Sequence, residues 1–186
     1  MDQPQVLSDK NGTKFMKLND NHYRVSFDIE NPHMNLIQLI NVDLFTLIYK
    51  LNPDIYESIR VEKMDDDEAY AIGILKHFFE DLGMPQRYSY LHIRRMHTDT
   101  NNPDVVRFNA RTIYDKRPEG VSQELEIVSF DKMMSAVEIV SSHHLRIVQD
   151  IYVNEKVHIS PMIEKFIGTI IMKICKRIKL FIESAV

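Results

Sequence analysis

The sequence predicts an α+β fold: an antiparallel sheet packed by two long apolar helices, with a small inserted β-meander. Three observations carry that expectation. Residues 160–186 repeat apolar side chains at three- and four-residue spacing, residues 34–50 are apolar nearly all round, and segments between residues 88 and 130 alternate apolar with polar.

The terminal helix is the best marked element. Ser160 suits the N-cap, Pro161 sits at the first helical position where its missing N–H costs nothing, and Glu164 lies in the first turn, where a carboxylate suits the helix dipole. Ile163, Phe166, Ile167, Ile170, Ile174, Ile178 and Phe181 form the apolar stripe, and Met162, Ile171, Met172, Leu180 and Ile182 widen it past one face. About 24 helical residues would span roughly 36 Å at 1.5 Å each. Either this is an oversized core helix, or it buries one side in its own sheet and the other in a second chain. Lys165, Lys173, Lys176, Arg177 and Lys179 interrupt the apolar run too often for a membrane span.

In chain order, residues 1–12 read as a frayed lead, and residues 14–18 and 23–29 as strands of a hairpin turning at Asn19, Asp20 and Asn21. Asn31 and Pro32 end the second strand. Residues 34–50 form the all-round apolar helix, with Leu36, Leu39, Ile40, Leu44 and Leu47 among its side chains, and such a helix is usually sandwiched between two layers. Residues 51–54 break the chain and residues 55–63 form a strand. Asp65, Asp66 and Asp67 then start a helix through Ala71, Ile74, Leu75, Phe78 and Leu82, stopped by Gly83 and Pro85. The acidic triplet is read as negative charge at a helix N-terminus in preference to a cation site. Strands follow at residues 88–96, 105–114 and 124–130, with loops at 98–104 and 115–122. Residues 131–140 read as a short helix and residues 144–153 as a strand. Arg94, Arg95, Arg107 and Arg111 make a candidate basic patch on the meander, or a solvated sheet face.

Composition narrows the function classes. With 186 residues, 44% hydrophobic and 27% charged, the chain suits one domain, or one domain with an insert. A net charge of −4 argues against a surface dedicated to nucleic acid, so nucleic acid enters only indirectly. The lone Cys175 cannot form an internal disulfide, and the polar first residues hold no signal-peptide core, so an intracellular setting is expected, cytoplasmic or nuclear, or a virion. Five glycines build no phosphate loop. His22, His33, His77, His92, His97 and His158 have no second ligand at helical spacing, and His143 and His144 would point to opposite faces of a strand. No metal site, cofactor or catalytic motif is expected, and the chain is read as non-enzymatic.

VSFDIENPHMNLIQLI (residues 25–40), DDDEAYAIGILKHFFEDLG (65–83), SQELEIVSF (122–130) and SPMIEKFIGTIIMKICKRIKLFIE (160–183) together resemble the assembly-platform subunits of multisubunit RNA polymerases. That family comprises the bacterial alpha N-terminal domain and its archaeal, eukaryotic and large-DNA-virus counterparts. Gln38, Asn41 and Asp43 stand near the place of that family's Asn-x-x-Arg-Arg. The resemblance implies a dimerisation-type domain of residues 1–86 and 141–186, with residues 87–140 inserted. It also implies a scaffold subunit that pairs with a second protein subunit through Leu36, Leu39, Ile40, Leu44, Leu47 and the 163–181 stripe, and nucleates a larger transcription assembly. The alternative is a virion-associated interaction component using the same helices.

Overall fold

A computed structural model describes residues 4–96, 102–128, 130–157 and 159–186. The chain opens with a three-strand meander of β1 (Gln5–Lys10), β2 (Thr13–Asn19) and β3 (His22–Glu30). The first turn is tight because Asn11 and Gly12 both take positive φ, 55° and 70°, as a two-residue hairpin loop of this hand requires. A 3-10 turn at Leu36–Leu39 and the short α1 (Asp43–Lys50) lead to β4 (Tyr56–Lys63) and β5 (Glu68–Leu75). Beyond a 3-10 turn at Glu80–Leu82 come β6 (Arg87–Met96), β7 (Val105–Thr112), β8 (Glu126–Ile127), β9 (Phe130–Ser141) and β10 (His144–Val153). The chain closes in α2 (Pro161–Glu183).

The strands form one sheet in the order β1-β2-β3-β10-β9-β7-β6-β5-β4, with β8 alongside β6. Every pairing is antiparallel except β6 with β8. Alternation selects the inner face: along β3, Tyr23, Val25, Phe27 and Ile29 are buried while the residues between them are not. Two covers lie on that face. α2 packs on β1–β3, burying Gly168, Cys175, Ile178 and Ile182. α1 covers the other wing, where Tyr49 packs with Ala71, Leu91, Ile93 and Ala110, and Phe45 meets Phe108 edge-on at 6.0 Å.

Several expectations are corrected. There is one long helix, not two. Within residues 34–50 the backbone makes a 3-10 turn, breaks at Ile40–Val42 and gives only eight α-helical residues. Asn35 and Asn41 accept from Ile37 N and Asp43 N through their side chains, so local side-chain bonds compete with a continuous helix. The helix expected after the acidic triplet is β5. Ala69, Ala71 and Gly73 alternate inward at period two, and Asp65–Asp67 form the hairpin turn before it, where Asp65 accepts from Asp67 N at 2.8 Å. Residues 131–140, expected helical, lie in β9, and part of the expected frayed lead is β1. Residues 87–140 supply β6–β9, which hydrogen-bond to β5 on one side and to β10 on the other. The hairpin, the strands at residues 56–63, 87–96, 105–112 and 144–153, and the capped terminal helix agree with the sequence reading. His97, His158, residues 1–3, residues 98–101 of the expected 98–104 loop, and Ser129 lie outside the described residues.

Candidate functional site

The inner face is best described by the rows that strand register creates, since directly paired residues of antiparallel neighbours project to the same side. One row runs Phe27, Ile147, Val137, Val106 and another Tyr23, Ile151, Met133, Ala110, Ile93, Ala69. Between them runs Phe15, Val25, Gln149, Ser135, Phe108, Arg95. This middle row carries two uncharged polar side chains in an apolar surface.

α2 crosses above. Helical spacing puts Ile163, Phe166, Ile167, Ile170 and Ile174 on the flank beside the buried stripe, turned toward the β4–β6 wing. That flank is only half closed: Ile163, Phe166, Ile170 and Ile174 keep part of their surface open, as do Met133, Ile147 and Ile151 on the sheet. Two clamps bridge it to the far wing. In the C-terminal half of the helix, Arg177 donates to the Leu51 carbonyl at 3.4 Å and to Asn52 Oδ1 at 3.0 Å, and Arg177 and Lys173 both pair with Asp54. Hydrogen bonds from Arg177 and then Lys173 hold the Asp54 carboxyl well below its ordinary value. Near the helix start, Phe78 and Phe79 on the β5–β6 loop set their rings edge-on to Phe166, at 5.0 and 4.6 Å. The flank is thus held to the far wing by an ion pair at one end and by three aromatic rings at the other, with partly exposed apolar side chains between them.

The helix is anchored at both termini on β3 or just beyond it. Ser160 Oγ accepts from Ile163 N, and the Tyr23 hydroxyl donates to Glu164 at 2.6 Å while Lys17 lies 3.0 Å from the same carboxylate. Burial, then Glu164, pushes the Tyr23 hydroxyl well above its ordinary value. At the other end the fully buried Asn31 donates to the carbonyls of Ile182 and Ala185, at 2.6 and 2.7 Å. Its own Oδ1 accepts from His33 N and Met34 N, so one side chain ties the end of α2 to the turn after β3.

Deeper, under the α1 arm, a gap of about 20 Å³ is lined by side chains that include Leu36, Leu39, Ile40, Leu44, Ile147 and Ile182. It is wholly apolar and holds no more than about one water-sized sphere. A polar groove of about 330 Å³ lies outside it, among Gln38, Asn41, Asp43, Lys63, Asp66 and Arg95.

The expected site residues therefore scatter. Leu36, Leu39, Ile40 and Leu44 line the inner gap, Leu47 is half-buried on α1, and Ile178 is core. Ile163, Phe166, Ile170 and Ile174 are partly buried on the α2 flank, Ile167 is exposed beside them, and Phe181 is half exposed. The four arginines do not share one face. Register puts Arg94, Arg107 and Arg111 on the outer face and Arg95 on the inner, with Arg94 paired to Glu68 at 3.5 Å and Arg95 to Asp67 at 3.7 Å. Among the described residues no group of three His, Cys, Asp or Glu side chains is placed to hold a metal ion. Sequence reasoning does not single out Gln149 and Ser135, although Leu145, Ile147 and Ile151 broken by Gln149 is a visible lapse in a period-two apolar pattern.

No protein-family model matches the chain, and no curated protein matches it in sequence. Solved structures do. The lipid transfer and protein localization domain of human StarD13 superposes with a TM-score of 0.70 at 14% identity, covering 100% of this chain and 91% of that one. A STAR-related lipid transfer protein fragment from Xanthomonas axonopodis gives 0.67 at 9% identity, covering 97% and 99%. Human StAR-related lipid transfer protein 5 gives 0.61 at 9%, covering 98% and 86%. The fold is that of the StAR-related lipid-transfer domains. It is a curved sheet gripping one long C-terminal helix, and it replaces the polymerase-platform resemblance. The scaffold subunit, its partner subunit and the larger transcription assembly lose their basis with it. The virion alternative rested on the same pair of surplus helices and goes as well, because the second helix does not form. No helix among the described residues is long and apolar enough to cross a membrane.

Proposed function

We propose that this chain binds a single lipid between α2 and the inner sheet face and carries it through water. The observation that carries the reading is that apolar side chains on both walls remain half open: Ile163, Phe166, Ile170 and Ile174 above, Met133, Ile147 and Ile151 below. Apolar surface left next to water inside a fold costs about 25 cal/mol per Å², and an acyl chain laid between the walls removes that cost. Likeness of fold to proteins named for lipid transfer supports the same reading.

The small size of the inner gap bears on how a lipid would enter. At about 20 Å³ it admits no lipid tail, so full loading requires the α1 arm or α2 to move outward. The arm is suited to that, being two short turns and a break held to the β9–β10 hairpin by a few hydrogen bonds, such as Leu36 N to the Ser142 carbonyl at 2.8 Å. Leu36, Leu39, Ile40 and Leu44 would then wrap the tail instead of one another. Part of the proposal is an intracellular setting, which the lone buried Cys175 fits.

Incubating the purified protein with mixed-lipid vesicles, re-isolating it and analysing extracted lipid by mass spectrometry tests the reading. Stoichiometric lipid on the protein, with faster exchange of labelled lipid between two vesicle populations, is the expected result. A protein that returns lipid-free and leaves exchange at its spontaneous rate overturns it.

A further inference from the structure

We propose that the outer face of the sheet, away from α2, docks an extended acidic segment of a partner protein, in which two carboxylates flank an apolar side chain. The surface lies on β6, β7 and β9, which are neighbours in the sheet. Along β7, Arg107, Asn109 and Arg111 project outward, since Val106, Phe108 and Ala110 between them are buried in the core. Register sets Arg111 directly opposite Lys132 of β9, Asn109 opposite Met134, and Arg107 opposite Met96 of β6.

Two features of this surface call for an anion with apolar substance beside it. Like charges directly opposite on neighbouring strands destabilise a sheet, and Arg111 faces Lys132 in that way. Arg24, Arg94 and Arg146 on the same face are each matched by a carboxylate, whereas Arg107, Arg111 and Lys132 have none among the described residues. Lys132 leans instead over the Tyr152 ring of the next strand, 4.5 Å from its centroid. The second feature is a pair of methionines: Met96 and Met134 are 48% and 41% exposed and set adaptable apolar surface beside the cations.

The spacing describes the partner. An extended chain sends alternate side chains to one side, so residues four apart stand roughly 13 Å from each other at about 3.3 Å per residue. Arg107 and Arg111 are separated by the same four residues, so acids at both ends of such a segment reach them, and the apolar side chain midway falls at Met134. Methionine surface offers nothing to a phosphate backbone. The net charge of −4 works against a long polyanion or an anionic bilayer, whereas a short acidic segment feels mainly the charges within a Debye length of about 10 Å. The face lies across the sheet from α2, so this inference stands apart from lipid binding.

Fluorescence anisotropy at low salt tests it, with the full chain and a labelled seven-residue peptide carrying glutamate second and sixth, leucine fourth, and serine or glycine elsewhere. The peptide should bind about tenfold more tightly than its counterpart with both glutamates changed to glutamine. Its affinity should fall about tenfold in Arg111→Gln and further when Arg107→Gln is added. Arg111→Gln also relieves the opposed pair, so its thermal midpoint should hold or rise while binding weakens, a combination that a purely structural role for the arginine does not produce. Peptide affinity equal to that of the glutamine counterpart, or unmoved by Arg111→Gln, overturns the inference. So does tighter, Arg111-dependent binding of a deoxythymidine decamer or of phosphatidylserine vesicles, which would give the face to nucleic acid or to a membrane.

Discussion

Gly168 and Asn31 show how single side chains hold the long helix. A Cβ at Gly168 would meet the buried Phe15 ring at 3.0 Å, so the ring must give by a few tenths of an ångström. Gly168→Val should therefore lower stability by about 1–3 kcal/mol in denaturant titrations. Gly168→Ala should come close to neutral, since the gain of about 1 kcal/mol in helix propensity offsets a small ring shift. Asn31→Ala removes a donor from the carbonyls of Ile182 and Ala185 and an acceptor from two backbone N–H groups, and should cost about 2–3 kcal/mol by the same measurement. Cys175 is chemically quiet: burial pushes its thiol up to about 12. Thiol reagents at pH 8 should label it only as fast as the helix lifts from β2 and β3, and unfolding in denaturant should make labelling immediate.

Between elements, the β5–β6 loop and α2 meet through Phe78, Phe79 and Phe166, ring against ring, without a hydrogen bond among them. Edge-on aromatic pairs contribute about 0.5–1.5 kcal/mol each, enough to keep a loop closed and too little to lock it. Phe166→Ala should leave the thermal midpoint within a few degrees of native and speed lipid exchange between vesicles several-fold. Exchange no faster than native would mean that lipid does not pass this contact. The opposite clamp, Asp54 with Arg177 and Lys173, is exposed and electrostatic, so raising salt should loosen it and leave the aromatic one alone.

For the domain as a unit, acid should act through the carboxylates that tie distant segments together. Two of them, Asp54 and Asp150, ionise below their ordinary value of 3.8. For Asp150 desolvation pushes upward, but hydrogen bonds from Arg24 and His22 outweigh it, and the net shift is down. A carboxyl whose folded value is depressed binds its proton more readily when unfolded. Its contribution is therefore present above about pH 4 and is lost as pH falls through the folded value. Thermal midpoints should stay flat from pH 7 to 5 and drop below 4, with Asp150→Asn lowering the plateau and softening the drop. An equally steep drop in that variant would assign the acid sensitivity elsewhere.

What depends on near neighbours along the chain was legible before any coordinates. Ser160 and Pro161 start the helix, the alternation through Tyr23, Val25 and Phe27 makes β3, and Leu145 to Ile151 makes β10. The surplus of isoleucines on α2 is legible too, and it is real; what the surplus faces is not written locally. Ala71, Ile74, Leu75 and Phe78 fit a helical period, whereas Ala69, Ala71 and Gly73 fit a strand, and pairing to β4 and β6 chose the strand. Likewise, residues 34–50 are apolar enough for a long helix, but an arm that must bend over a curved sheet breaks at Ile40–Val42. Long-range packing chose the partner of the apolar flank, the pairing of Gln149 with Ser135 and the separation of Arg95 from the other arginines. Each depends on strand order and register, set by contacts between residues far apart in sequence, and a period-two pattern states which residues share a side without stating what that side will meet.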